Sequence, residues 1–234
     1  ILLSLVGSEM CIRDSLLGVT QVHLGGELDA RYRINSKLVV YGMFSYGNWE
    51  YAGDVDMQFI DEDNNATDVD VDGDGAADKT LYLDGVKVGD AAQMTARLGL
   101  DYRVYKGLKL DGSFLFADNL YAAIDPTSFI RQDHDGSLKL PSYGLLDLGA
   151  SYKMYIGKKR NQSLNFRVNV NNVLNKTYIS ESETNRHAQT AADFATDAEY
   201  QDYLNNDTYE GIDASNRVFF GFGRTWNVSV RYNF

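Results

Sequence analysis

Apolar and polar residues alternate with a period of two over several long segments, and this pattern constrains the fold more than any other feature. The last segment, GFGRTWNVSVRYNF, shows it most clearly. One face of that segment carries Phe222, Trp226, Val228, Val230, Tyr232 and Phe234. Because successive side chains of a β-strand point to opposite faces, the alternation predicts strands with one apolar and one polar face.

Six further segments show the same alternation. They are VHLGGELDARYRI, LVVYGMFSYGNWEY, QMTARLGLDYRVY, LKLDGSFLF, YGLLDLGASYKMYI and SLNFRVNVNNVLNKTY. Only the segment at residues 38–51 has an ambiguous phase. The segments approach or exceed the length of about 9 to 11 residues that a tilted membrane strand needs. The sequence therefore predicts seven strands.

The connections between these strands alternate between short and long. The short ones are residues 35–37, 105–107 and 157–162, and the long ones are about 52–90, 122–141 and 181–217. Outer-membrane barrels have short periplasmic turns and long extracellular loops, whereas a secreted β-sandwich, the alternative, has no reason to sort them. We predict an all-β fold, an antiparallel transmembrane β-barrel of which about seven up-and-down strands are present. Single-chain barrels have even strand numbers, so we expect this to be part of a larger barrel.

Charge and composition exclude several classes of protein. The chain has 33 acidic and 22 basic residues, a net charge of −11, so nucleic acid is not an expected partner. No apolar run approaches the roughly 20 residues of a membrane helix. The three histidines, His23, His134 and His187, lack metal-ligand spacing. No nucleophile stands beside a base, so we expect no catalytic residues and no enzyme.

The first fifteen residues have an unusual origin in our interpretation. SLVGSEMCIRDS, residues 4–15, can be back-translated in one frame into the read-two adapter and mosaic end of transposase-based sequencing libraries. We therefore predict that residues 1–15 are translated adapter, and that residues 16–234 are the native part. That removes Cys11, the one cysteine, from the native chain.

Three stretches resemble the C-terminal part of TonB-dependent receptors, the 22-stranded transporters of the Gram-negative outer membrane. They are LPSYGLLDLGASYKM, FRVNVNNVLNKTYIS and RTWNVSVRYNF, and they span Leu140 to Phe234 in the expected order. Residues 20–125 fit the strand rhythm without such a signature. The acidic, Asn-rich loops and the YLDG stretch resemble Bacteroidetes-type members.

The resemblance implies a location in the outer membrane and energised uptake of a scarce ligand such as a siderophore or a glycan. The implied partners are outer-membrane lipid, an extracellular small ligand, and the TonB energy-transducing complex, which acts through an N-terminal plug domain that lies upstream. Two alternatives stay open, a passive porin and a calcium-stabilised adhesin-type barrel.

One long connection contains a candidate calcium loop, DVDGDGAAD. Asp70, Asp72, Asp74 and Asp78 occupy positions 1, 3, 5 and 9 of such a loop, with Gly75 at position 6. Leu81 stands at position 12, where a bidentate Glu is expected. The spacing predicts weak calcium binding, and a solvated acidic loop is the alternative. The Asp84-Gly85 pair that follows predicts a hairpin turn.

The last long connection combines acidic residues with aromatic ones. We predict Tyr200, Tyr203 and Tyr209, together with Phe194, as candidates to stack on an extracellular ligand, with packing against neighbouring loops as the favoured alternative. A short helix is expected near residues 191–204. The polar faces of the strands are expected to line the lumen with charged side chains. These are Glu27, Asp29, Arg31, Arg33, Arg97, Asp101, Arg103, Lys153 and Arg167.

Overall fold

The computed structural model describes residues 2–7, 10–16, 18–60, 65–71, 73, 75–156 and 162–234. Its strands are β1 Leu2–Gly7, β2 Met10–Leu16, β3 Gln21–Arg33, β4 Leu38–Tyr51, β5 Val55–Ile60, β6 Ala66–Thr67, β7 Thr80–Leu81, β8 Met94–Tyr105, β9 Leu108–Asp118, β10 Tyr143–Ile156, β11 Gln162–Asn171, β12 Ile179–Ser182, β13 Thr208–Tyr209, β14 Ile212–Asp213, β15 Val218–Phe220 and β16 Thr225–Asn233. There is one α-helix, α1 Asp197–Asn206, and there are two 3-10 turns, Pro126–Ser128 and Ala191–Asp193.

The seven long strands form one antiparallel sheet with the order β3-β4-β8-β9-β10-β11-β16. Each strand pairs with the next long strand along the chain, as in an up-and-down barrel. The sheet is not closed, and β3 and β16 are its two edges. The prediction of seven up-and-down strands is confirmed.

The register of the sheet sorts the side chains into an apolar and a polar face. In β4, whose phase the sequence leaves ambiguous, Val40 lies opposite Tyr32 and Leu100 and therefore shares the apolar face. Tyr41 lies opposite Arg31 on the polar face. No second sheet covers the apolar face among the described residues, since Leu24 and Trp226 are 72% and 73% exposed. The sandwich alternative fails because it requires this face to be buried.

Two short turns at the same end of the sheet have simple local explanations. Asn35 closes the β3–β4 turn, because its side-chain oxygen accepts hydrogen bonds from the backbone N–H groups of Lys37 and Leu38. Gly107 in the β8–β9 turn has a φ of +85°, a conformation that favours glycine. The predicted turn at residues 157–162 lies mostly outside the described residues.

The predicted strand at residues 163–178 ends earlier in the structure, at Asn171. Asn172 and Asn175 adopt left-handed conformations with φ of +48° and +53°. The Asn172 side chain accepts a hydrogen bond from the Lys176 N–H and donates to the carbonyls of Lys176 and Phe222. The strand prediction beyond residue 171 was wrong because asparagine side chains replace the backbone ladder there.

The long connections carry small sheets of their own. β5 pairs with β2, β6 and β7, β12 pairs with β15, and β13 pairs with β14. The backbone of β1 pairs with β2, and β2 in turn pairs with β5. Part of residues 1–15 therefore belongs to the same small sheet as β5. The interpretation of residues 1–15 as translated adapter stays a prediction.

The turn predicted at Asp84-Gly85 is present, with Gly85 at a φ of +78°. The Val86 N–H donates to the Leu83 carbonyl at 3.0 Å and closes the turn, but beyond this bond the two flanks pair with other segments. Leu81 pairs with Val55, and Lys87 bridges to Glu50. Leu81 and Leu83 are fully buried. The apolar side chains of this segment therefore pack against neighbouring segments instead of forming a two-stranded hairpin. No helix in the described part of the chain is long and apolar enough to cross a membrane.

Candidate ligand-binding surface

The three long connections, residues 52–93, 119–142 and 172–224, pack together at one end of the sheet, and we call their described residues the loop cap. One apolar cluster joins Leu81, Leu83 and Phe129 from the first two connections. A second cluster joins the second and third connections, with Leu138 and Leu140 packed against Ile179. Burial of these side chains makes the cap one assembly rather than three separate loops.

Asn185 joins two connections through buried hydrogen bonds. Its side-chain oxygen accepts from the Leu138 N–H at 2.7 Å, and its side-chain nitrogen donates to the Gly136 carbonyl at 2.8 Å. Asn185 is only 4% exposed. Sequence reasoning missed this residue, because an asparagine in a polar loop carries no periodic signal that would distinguish it from its neighbours.

Two histidines that lie far apart in the sequence meet at Gly136. The Gly136 N–H donates to His134 Nδ1 at 3.0 Å, and His187 Nε2 lies 3.1 Å from the Gly136 carbonyl. His134 Nε2 lies 2.8 Å from the Tyr82 carbonyl, a geometry in which that nitrogen donates. Both rings are therefore used in holding connections together.

The predicted helix is present as the turn Ala191–Asp193 followed by α1. Thr196 begins α1 with a capping box, in which the Thr196 hydroxyl accepts from the Glu199 N–H and the Glu199 carboxylate accepts from the Thr196 N–H. Phe194 packs against Tyr200 and Tyr203, with ring centroids 5.6 and 5.2 Å apart.

Tyr203 is 7% exposed and is anchored by hydrogen bonds on both sides. Its hydroxyl donates to the Asp213 carboxylate at 2.6 Å and accepts from the Gln189 N–H at 3.0 Å. Burial and the hydrogen bond to Asp213 raise the pKa of the Tyr203 hydroxyl. Burial acts to raise the pKa of Asp213, but the hydrogen bonds from Ser215 and Tyr203 outweigh it and hold that pKa below its usual range.

Tyr209 lies apart from this group and meets the Phe220 ring edge-on at 5.5 Å. It is 37% exposed. Beside it, Lys176 donates to Glu210 at 2.7 Å, and this hydrogen bond raises the pKa of Lys176. The three predicted tyrosines thus fall into two places, Tyr200 and Tyr203 around Phe194, and Tyr209 on Phe220. Their contact with a ligand stays a prediction.

The candidate calcium loop is described only in part, because Asp72 and Asp74 lie outside the described residues. The Asp70 carboxylate accepts from the N–H groups of Gly73 at 2.6 Å and Gly75 at 2.9 Å. The Asp78 carboxylate accepts from the Val71 N–H at 2.7 Å. Within the described residues, which exclude those two aspartates, no group of three acidic, histidine or cysteine side chains is placed to hold a metal. Calcium binding stays a prediction.

The charges predicted for the lumen share the polar face of the sheet, and two ion pairs cross its strands. Arg31 contacts Asp101 at 2.7 Å, and Arg167 donates two hydrogen bonds to Asp111, one of them at 2.7 Å. Gly149 lies directly opposite Asp111. A Cβ at Gly149 would lie 2.3 Å from the Asp111 carboxylate and 2.4 Å from the Arg167 guanidinium, so the pair needs this glycine.

Comparison with known families agrees with this architecture. The family model described as TonB dependent receptor-like, beta-barrel, matches residues 17–173, which is 157 of the 234 residues. The match includes the stretch at residues 20–125 in which we found no signature, and it ends before the terminal strand, in which we did. No curated protein shows a significant match to the chain. Since the matched region covers more than half of its length, the chain belongs to the TonB-dependent receptor-like β-barrel family of outer-membrane receptors and transporters.

Proposed function

We propose that this chain is the C-terminal part of a receptor that takes up a scarce extracellular ligand with energy relayed by the TonB complex. Its strands supply lipid-facing wall and lumen lining, and its loop cap supplies part of the surface that meets the ligand. The proposal rests on the family match together with one observation, the packing of all three long connections into a single cap.

The cap offers aromatic surface for a sugar or a siderophore, as the predicted tyrosines suggest. Tyr203 is anchored inside the cap, so Tyr200 and Tyr209 are the two with surface left for a ligand. Aromatic rings of this kind bind ligands by stacking on apolar faces. The cap also carries 19 acidic against 8 basic residues, a net charge of −11, which favours neutral or cationic ligands over free anions.

The test uses cells that make the complete protein from which this chain comes. Uptake of labelled siderophores and oligosaccharides is measured with and without a protonophore. We expect uptake that stops when the proton gradient collapses, and that falls in the Tyr209→Ala variant, with Asn205→Ala as the exposed control.

The two alternatives predict different results in the same preparation. A passive porin would give uptake insensitive to the protonophore and steady ion conductance in a planar bilayer. A calcium-stabilised adhesin would transport nothing and would bind its partner only with calcium present. Either result would contradict energised uptake.

A further inference from the structure

The His134 ring joins the first long connection to the second through both of its nitrogen atoms. Nε2 lies 2.8 Å from the Tyr82 carbonyl, and Nδ1 accepts a hydrogen bond from the Gly136 N–H at 3.0 Å. A carbonyl oxygen only accepts hydrogen bonds, so Nε2 must carry a proton. A backbone N–H only donates, so Nδ1 must be without one. We call these two hydrogen bonds the His134 bridge.

The His134 bridge therefore requires a neutral ring in one particular tautomer. A protonated ring carries an N–H group on each nitrogen. The Nδ1 proton would then point at the Gly136 N–H, and two donors that face each other repel. The ring must turn away, and the Gly136 N–H loses its acceptor. Histidine is the side chain whose charge ordinarily changes between about pH 5 and pH 8.

The charged groups near the bridge do not compensate a charge on this ring. The titratable and charged residues at or beside the segments that it joins are Tyr82 and Lys87 of the first connection, Arg131, Asp133 and Asp135 of the second, and Arg186 and His187 of the third. Lys87 pairs with Glu50 at 3.0 Å, and Arg131 pairs with Asp133 at 3.2 Å. In the described part of the chain, no ion pair involves His134. Protonation thus removes a hydrogen bond without forming a salt bridge.

The second histidine at this turn has a different response to protonation. His187 Nε2 lies 3.1 Å from the Gly136 carbonyl, so it faces an acceptor and donates to it. That nitrogen also carries a proton in the charged ring. Protonation of His187 therefore leaves its hydrogen bond in place, whereas protonation of His134 removes the bond from the Gly136 N–H.

The contacts on either side of the bridge do not titrate. The Ser137 hydroxyl accepts from the Lys87 N–H at 2.7 Å and donates to the Lys87 carbonyl at 3.1 Å. Phe129 is fully buried in the first apolar cluster, and its ring meets the half-buried His134 ring with centroids 5.0 Å apart. Protonation of His134 is therefore expected to loosen residues 131–138 while the apolar cluster stays in place.

We propose that His134 is a pH-sensitive switch in the loop cap, which holds the first and second connections together in neutral solution and releases residues 131–138 in acid. The inference depends on hydrogen-bond geometry, and it does not require that the protein transport any ligand. Its consequence for a ligand, weaker capture in acid, rests on the proposed function, because a looser cap must be ordered when the ligand binds.

Amide hydrogen exchange of the complete protein, measured at about pH 8 and about pH 5, tests the switch. The rates are corrected for the intrinsic pH dependence of exchange, so that only changes in protection remain. We expect peptides that cover residues 131–138 to lose protection about tenfold at the lower pH, the effect of losing one hydrogen bond. Peptides of α1, which contains no histidine, should keep their protection and are the internal control.

Two variants identify the ring that titrates. His134→Asn keeps an acceptor for the Gly136 N–H, because an asparagine side-chain oxygen can bond to the N–H two residues on, and it cannot gain a proton. Whatever its level of protection in residues 131–138, we expect that level to be the same at both pH values. His187→Gln keeps a donor for the Gly136 carbonyl and should respond to pH as the unchanged protein does.

Three results would each overturn the proposal. The first is equal protection of residues 131–138 at both pH values in the unchanged protein. The second is a pH response that persists in His134→Asn, and the third is its loss in His187→Gln, which would make His187 the group that titrates. Exchange reports on the cap whether or not a ligand is taken up, so failure of the uptake experiment would leave this test unaffected.

Discussion

Gly149 has no side chain, and this leaves room for the ion pair between Asp111 and Arg167. We predict that Gly149→Ala destabilises the complete protein by about 1–3 kcal/mol, because the added methyl group must displace the Asp111 carboxylate or the Arg167 guanidinium. Thermal unfolding in detergent measures the effect. Gly26→Ala is the control, since a Cβ there has no neighbour within 4 Å. Equal midpoints for the two variants would contradict this account.

Asn185 is the second residue whose removal should have a clear effect. We expect Asn185→Ala to leave the buried Leu138 N–H without its partner, a cost of about 1–3 kcal/mol, while the Gly136 carbonyl keeps its contact with His187. Amide hydrogen exchange should quicken in residues 119–142. The exposed Asn205→Ala, which loses only a bond within α1, should change nothing there. Unchanged exchange in the Asn185 variant would show that the apolar clusters alone hold the cap.

Asp70 allows the calcium prediction to be tested at a single residue. We expect calcium at about 0.1–1 mM to raise the thermal midpoint of the complete protein, as in weak extracellular sites. Asp70→Asn should abolish the rise, and Asp133→Asn, in another connection, should preserve it. A rise of the same size in both variants, or no rise in the unchanged protein, would contradict calcium binding at Asp70. The segment would then be a solvated acidic loop.

At the scale of elements, the anchoring of α1 predicts a dependence on pH. The lowered pKa of Asp213 means that its contribution to stability is fully present above the usual aspartate pKa of about 3.9 and is lost as the pH falls through the lowered value. We therefore expect exchange of the α1 amides to quicken only in acid. Tyr203→Phe removes one of the hydrogen bonds that lower this pKa, so the acid-induced change should be smaller than in the control Tyr200→Phe. A change of the same size in both variants would rule out this role for Tyr203.

The long strands could be predicted from sequence, and their connections mostly could not. Alternation is a local property, so it reveals β8 or β10 without knowledge of the rest of the molecule. The end of β11 depends instead on the Asn172 side chain reaching Lys176 and Phe222, and the flanks of the Asp84-Gly85 turn depend on partners in other segments. Contacts of that kind are long-range, and no period in the sequence records them.

Candidate site residues were harder to predict for the same reason. Tyr203 and Tyr209 look equivalent in the sequence, yet one is anchored inside the cap and the other lies on its surface. Asp111 belongs visibly to a polar strand face, but its partner Arg167 is 56 residues away.

For the whole molecule, the origin of residues 1–15 has a direct test. We expect a long sequencing read across the source DNA to lack the codons of residues 4–15, and to continue upstream of residue 16 into further strands and a plug domain. Finding those codons contiguous with the rest of the gene would contradict the adapter interpretation. The control is the sequence after residue 16, which should be the same in the long read and in the present sequence.

The packed loop cap has a consequence for the thermodynamics of recognition. A ligand that must order three separate mobile loops binds more weakly, because each loop loses conformational entropy on binding. Here Asn185 and the two apolar clusters already fix the backbone before any ligand arrives. Tight binding to such a preorganised surface therefore needs fewer favourable contacts.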